Sequence, residues 1–201
     1  MDPAALIFAF VFGFFALKTV DQRRRIALLG THLQKYSLEK HMQTLSEGYL
    51  RALDADTPER QSQIWELMQA TERALADQLE RLAQEMARLD PDRLRISRLP
   101  LALPWVDRLF PGMAFDLRDA LRLHARGIAR AIEDQPGRSA RDKAFTVLAE
   151  MYLFQHTCHW FCRSRTVASA RLLARHKTAY VQVIAAVSPD TRRDYTALTA
   201  G

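Results

Sequence analysis

From Ile64 to Leu89 the chain places an apolar residue every three or four positions: Ile64, Met68, Leu75, Leu79, Leu82, Met86 and Leu89, with Thr71 as the polar member of the series. Charged side chains fill the gaps. This is the stripe of an amphipathic, heptad-like helix, and a second helix must cover its seam. The start is marked at Asp56-Thr57-Pro58-Glu59. Thr57 suits the N-cap, Pro58 the first helical position, and Glu59 the positive end of the helix dipole. Asp90-Pro91-Asp92 ends it. Upstream run Ile26, Leu29, Leu33 and Tyr36, then, after one phase shift, Leu38, Met42, Leu45, Tyr49 and Leu53. No proline falls between Pro3 and Pro58, and Gly30 and Gly48 each weaken a helix by only ~1 kcal/mol relative to Ala. Two stripes joined by a short loop predict a long antiparallel hairpin over residues 21–90, its first arm running on without a break from the N-terminal segment.

That segment reads AALIFAFVFGFFALKTV over residues 4–20, with Phe8, Phe10, Phe12, Phe14 and Phe15 inside it. The unbroken apolar run, Ala4 to Leu17, is short of the ~20 residues a full span takes. Lys18 extends it to Val20 if its methylenes lie along the helix and its ammonium reaches the interface. A cleaved secretory signal would carry its positive charge ahead of the apolar run. Here Arg23, Arg24 and Arg25 follow it. A core helix is seldom apolar on every face. The segment is therefore expected to be a single-pass membrane helix, 1–20, with Lys18 and the three arginines at the lipid interface. The basic flank stays on the cytoplasmic side. This orientation puts the N-terminus outside and a domain of residues 21–201 in the cytoplasm, at the inner membrane of a bacterium.

The remainder also reads as helix. Ala, Leu, Arg, Glu and Gln dominate, Gly and Pro number only 7 and 8, and no alternating strand pattern occurs. A third helix is expected over 115–132, with Leu117, Leu121, His124, Ile128 and Ile132 on one face. A fourth is expected over 139–187, and a short terminal helix over 189–199, started by Ser188-Pro189-Asp190. Between hairpin and third helix lies LPLALPWVDRLFPG, residues 99–112. Its three prolines forbid a long regular element. Leu101, Leu103, Trp105, Leu109 and Phe110 make it too apolar for an ordinary surface loop. It must bury itself on the hairpin, at the membrane interface or on a partner, and Trp105 suits an interface. The fold class expected is all-α: an anchor helix, a long hairpin and two further long helices packed as a bundle.

The net charge of +6 is unevenly spread. Residues 39–92 are acidic, whereas no Asp or Glu occurs from Met151 to Pro189, where Arg163, Arg165, Arg171, Arg175, His176 and Lys177 stand. One reading pairs this basic segment with Glu66, Glu72, Asp77, Glu80 and Glu85 inside the fold. The other leaves Arg163, Arg171 and Arg175 as a docking face for an acidic partner. Nucleic acid is the weaker alternative, because no helix-turn-helix, aromatic platform or zinc finger accompanies the charge.

HTCHWFC, residues 156–162, gathers two histidines and both cysteines. On a helix, Leu148, Met151 and Gln155 lead to Cys158 and Cys162 in steps of three and four, so the thiols continue a buried stripe. Free cysteine commonly packs as a small hydrophobe. His156 falls nearer the exposed side. A metal or haem site would use Cys158, His159 and Cys162, with His124 from the facing helix, but one straight helix cannot wrap an ion, and neither the usual zinc spacing nor a CxxCH motif is present. No phosphate loop, GxSxG or HExxH occurs either. The expectation is a non-enzymatic, membrane-anchored adaptor with no cofactor, engaging the bilayer through residues 4–20 and a protein partner, or a second copy of itself, through its cytoplasmic faces. A metal- or haem-responsive sensor is the alternative.

Overall fold

The capping signals act where the sequence puts them. In the computed structural model, which describes residues 2–103 and 110–200, Thr57 accepts the Arg60 amide at 3.2 Å and opens α3, Pro58–Met86. Before it run α1, Pro3–Leu33, and α2, Leu38–Leu53. After it come β1, Arg95–Ser97, and β2, Ala114–Asp116. Then follow α4, Leu117–Ile132, α5, Ala140–Cys162, α6, Arg165–His176, α7, Tyr180–Ala186, and α8, Pro189–Ala200. The chain is mostly helical.

Helices α2 and α3 form the expected hairpin, its seam closed by Leu38, Met42, Leu45 and Tyr49 against Met68, Leu75, Leu79, Leu82 and Met86, all buried. The seam continues through α3 onto α4, and α4 packs on α5. Gly127 of α4 allows this approach: a Cβ there would stand 2.6 Å from Glu150 Oε2 and 2.7 Å from Thr191 Oγ1. Helices α6 and α7 cover α5 from the other side, and α8 returns to α4.

The first arm is not continuous. The backbone turns at residues 34–37, where the apolar stripe changes phase, and α1 leaves the hairpin to lie on α5 and α3. A polar cluster holds the joint. Glu85 of α3 takes His32 Nδ1 at 2.7 Å, the Tyr36 hydroxyl at 2.9 Å and the Lys35 ammonium. Hydrogen bonds from Lys35 and then His32 hold its carboxyl down at about 2. Gln78 Oε1 accepts the Ser37 amide at 2.8 Å.

The long helix expected over 139–187 is three. Arg163 leaves helical geometry, and Ser164 caps α6 by accepting the Val167 amide at 3.3 Å. Lys177, with φ of 54°, ends α6 in the left-handed region. Ser and Lys are ordinary helix-surface residues, so these breaks were invisible to periodicity.

The connector also differs from a purely irregular loop. β1 and β2 pair antiparallel, Ile96 opposite Phe115, and close its base. Trp160 Nε1 donates to Ser97 O at 2.9 Å, and Arg25 donates to Arg95 O at 2.7 Å, so the strands sit between α5 and α1. Leu101, Leu103 and Phe110 are exposed rather than buried on the hairpin. Trp105 and Leu109 lie outside the described residues.

Replacing Glu85 with Ala should release the joint while leaving the hairpin seam intact. Trypsin should then cut after Lys35 several-fold faster in the Glu85→Ala chain, with the melting temperature of the remaining body little changed. Equal cleavage rates would show that the cluster does not hold α1.

Candidate functional site

Two surfaces carry chemistry or exposure that packing does not explain. The first is the N-terminal half of α1. Asp2 caps it by accepting the Ala4 amide at 3.0 Å. Among the described residues its apolar side chains are left largely open: Phe8, Phe10 and Phe12 are 77%, 76% and 78% exposed, and Leu6, Ile7, Phe15 and Val20 are exposed with them. Burial begins only where α1 meets the body, with Leu29. Among the described residues no helix is long and apolar enough to cross a membrane. The span expected over 4–20, with its N-terminus outside, is therefore not supported. Fourteen apolar residues rise ~21 Å against a hydrocarbon core of ~30 Å. The Lys18 ammonium lies 6.0 Å from the Phe15 ring, back over the apolar stretch.

Of the interface arginines, Arg23 and Arg24 are exposed. Arg25 is not an interface residue. It pairs with Asp21 at 2.9 Å, bonds to β1, and lies 5.3 Å over the Phe161 ring. Arg163, expected on a partner face, is likewise engaged: it donates to Gln22 and ties the α5–α6 corner to α1. The exposed connector lies at this same end. Leu99, Leu101, Ala102 and Leu103 line a crevice with Asp21, Arg25 and Trp160, and Pro100 O accepts the Thr166 hydroxyl at 2.8 Å.

The second surface is a pair of adjoining clefts on α5, one facing the α1–α2 joint and one facing α6. One, of about 310 Å³, has an apolar floor of Leu33, Leu38, Met42, Phe154 and Cys158, with Tyr36, Glu39, Gln155, His159 and Arg175 around it. The other, of about 420 Å³, is lined by His156, His159, Arg171, Leu172, Arg175 and His176 among others. Gln155, His159 and Arg175 border both. Arg171 donates to His159 Nδ1 at 3.3 Å, and His176 Nε2 meets Gln155 Oε1 at 2.9 Å. Burial, and then the positive charges of Arg171 and Arg175, lower the His159 pKa. Burial, Arg175 and His159 do the same for His176. Both shifts favour the uncharged ring. The hairpin does not neutralise this face. Among the described residues the hairpin and the basic segment meet in an ion pair only at Glu39 and Arg175, 3.6 Å apart and both exposed. Glu72 is spent on Lys143 and Tyr49, and Glu85 on the α1 joint.

The four residues considered for a metal do not form a shell. Among the described residues no group of three His, Cys, Asp or Glu side chains is placed to hold an ion. His124 is buried and its Nε2 meets the Thr157 hydroxyl at 2.9 Å, which in turn meets the Tyr195 hydroxyl at 2.9 Å. Burial, then Cys162, pushes the Cys158 thiol far above its ordinary range. Burial raises Cys162 to about 11 against the pull of Arg25, Arg163 and Arg171. A metal or redox centre works through thiolates, and this environment opposes them. His156 is not near solvent as its helical phase suggested. α6 and α7 bury it completely, with Ser169 Oγ at 3.0 Å from Nε2 and the Tyr180 ring stacked at 4.4 Å. Sequence reasoning did not assemble the cleft of Gln155, His159 and His176. The spacing Gln155/His159 and Arg171/Arg175, each one turn apart, was the available signal.

Two outcomes follow. Neither cysteine should be alkylated within minutes in the native chain at pH 7, where a thiol at about 11 is only ~1 in 10⁴ thiolate, and both should react in denaturant. Rapid native labelling, read by mass spectrometry, would contradict this packing. Burial holds His124 and His156 at about 3, against an ordinary 6.5. The unfolded chain thus binds their protons first, so the stability these neutral rings contribute is present above pH 6.5 and is lost as pH falls toward 3. Melting temperature plotted against pH over that window should fall less steeply in His156→Gln than in the wild type.

No protein-family model matches the chain, and neither does any curated protein or any solved structure.

Proposed function

We propose that the chain is a membrane-attached helical adaptor without catalytic activity. The apolar end of α1 enters the bilayer from the cytoplasmic face of the inner membrane, Arg23 and Arg24 meet anionic headgroups, and the helical body presents its outer faces to a protein partner. The observation that carries this reading is the exposure of Leu6, Ile7, Phe8, Phe10, Phe12 and Phe15 on one projecting helix. A soluble protein rarely leaves so large a contiguous apolar surface in water. Helix α1 is also one uninterrupted piece from Pro3 to Leu33, so its apolar end is rigidly joined to the body through Leu29, Arg25 and the Glu85 cluster. The exposed Leu101 and Leu103, beside Asp21 and Arg25, add apolar surface at the same end. Each arginine near an anionic surface contributes ~1 kcal/mol.

The test is flotation with vesicles of phosphatidylethanolamine and phosphatidylglycerol, together with fractionation of a bacterium expressing C-terminal fusions. The wild type should float, and a Phe8→Asp/Phe12→Asp chain of unchanged helical circular dichroism should not. A reporter active only in the cytoplasm should work from the membrane fraction. A wild-type chain that stays with the soluble protein, or activity from a reporter that works only in the periplasm, would overturn the reading.

A further inference from the structure

We infer that the adjoining clefts on α5, one facing α2 and one facing α6, bind a small organic phosphate, its phosphoryl group held by Arg171, Arg175 and His159 and its apolar body seated on Leu38, Met42, Phe154 and Cys158. The inference does not rest on membrane attachment: Leu33 lies sixteen residues along α1 from Leu17, ~24 Å away from the apolar run.

The polar groups here are unbalanced. A guanidinium only donates, so His159 Nδ1 must accept from Arg171, and the remaining proton of the neutral ring is on Nε2. His159 therefore offers a further N–H donor. Arg171 and Arg175 sit one turn apart on α6 and are exposed. Arg175 meets its acid partner Glu39 only at 3.6 Å, with both side chains largely in solvent, a pairing that contributes little. His156 also lines the second cleft. It is fully buried, and its Nδ1 has no hydrogen-bond partner among the described residues. Among the residues lining the two clefts Glu39 is the one carboxylate, set against Arg171 and Arg175, and no Asp or Glu occurs between Met151 and Pro189 to add another. Two forked guanidiniums and an imidazole N–H suit the several oxygens of a phosphate better than a single carboxylate.

The body of the ligand is set by the other half of the site. The cleft of about 310 Å³ is floored by Leu33, Leu38, Met42, Phe154 and Cys158. Apolar walls with a few convergent polar groups are the usual form of a small-molecule site. An aromatic or short aliphatic group fits this volume, and bare phosphate would leave the floor wet.

Calorimetric titration of the full chain with phenyl phosphate tests this, with inorganic phosphate and phenol as half-ligands. Saturable binding of phenyl phosphate is expected, with each half-ligand at least tenfold weaker. Charge-assisted hydrogen bonds of this kind make the Arg171→Gln/Arg175→Gln chain on the order of tenfold weaker or more. Both residues are exposed, so this chain should keep its melting temperature. Arg60→Gln, which makes a charge change at the far end of the hairpin, should bind as the wild type does. No saturable heat with phenyl phosphate, equal affinity for phenol, or an undiminished affinity in the double variant would overturn the assignment.

Discussion

Helix α5 is covered by α1, α2, β1, α4, α6 and α7, and that enclosure governs the rest of the molecule. A helix hidden on so many sides has to be apolar nearly all round, and Ala144, Val147, Met151, Leu153, Phe154, Cys158, Trp160 and Phe161 meet that demand. It also carries Glu150, His156 and Thr157, each completely buried. A buried polar group without a partner costs ~1–3 kcal/mol, so other elements must arrive with matching groups. Ser188 gives Glu150 its amide at 3.1 Å and its hydroxyl at 2.9 Å. Tyr195 and His124 meet Thr157, and Ser169 meets His156. The positions of α4, α6 and α8 are thereby fixed by hydrogen bonds as well as by apolar contact.

The same enclosure explains the electrostatics. From Glu150 onward along α5, burial acts in one direction, toward the neutral form: it raises Glu150, Tyr152, Cys158 and Cys162 and lowers His156 and His159. The nearby arginines reinforce this for the histidines and oppose it for Cys162. The two thiols of this segment are thus held away from the reactive thiolate. Positive charge is left at the rim, on α6, where solvent still reaches it.

Much of this was legible in the residues. Thr57-Pro58 and Ser188-Pro189 mark real helix starts because capping and proline geometry are local effects. The α3 seam is legible because a stripe apolar at seven of its eight positions needs no knowledge of its partner. The break at residues 34–37 was present as the phase shift between Tyr36 and Leu38, and only its meaning, a turn rather than a stutter, required the Glu85 cluster forty-eight residues downstream. The burial of His156, the cap at Ser164 and the short sheet were not legible. The Ser164 cap, though local, lacks the proline that marks the helix starts at Pro58 and Pro189. The other two depend on partners distant in sequence, Tyr180 of α7 and Phe115 opposite Ile96. The cleft escaped for the same reason, since its floor and its charges come from four separate helices.

Helix α8 gives the architecture a temporal side. Tyr195 and Thr191, both buried, complete the polar contacts of α4 and α5, and Leu198 O accepts from Arg98 at 3.1 Å, closing the helix over the connector. A chain emerging from the ribosome releases the exposed phenylalanines of α1 long before it releases these residues. The apolar end is therefore free to find its surroundings while the body still lacks the groups that finish its interior. The part of the molecule that needs nothing from the domain comes early, and the part on which the domain depends comes late.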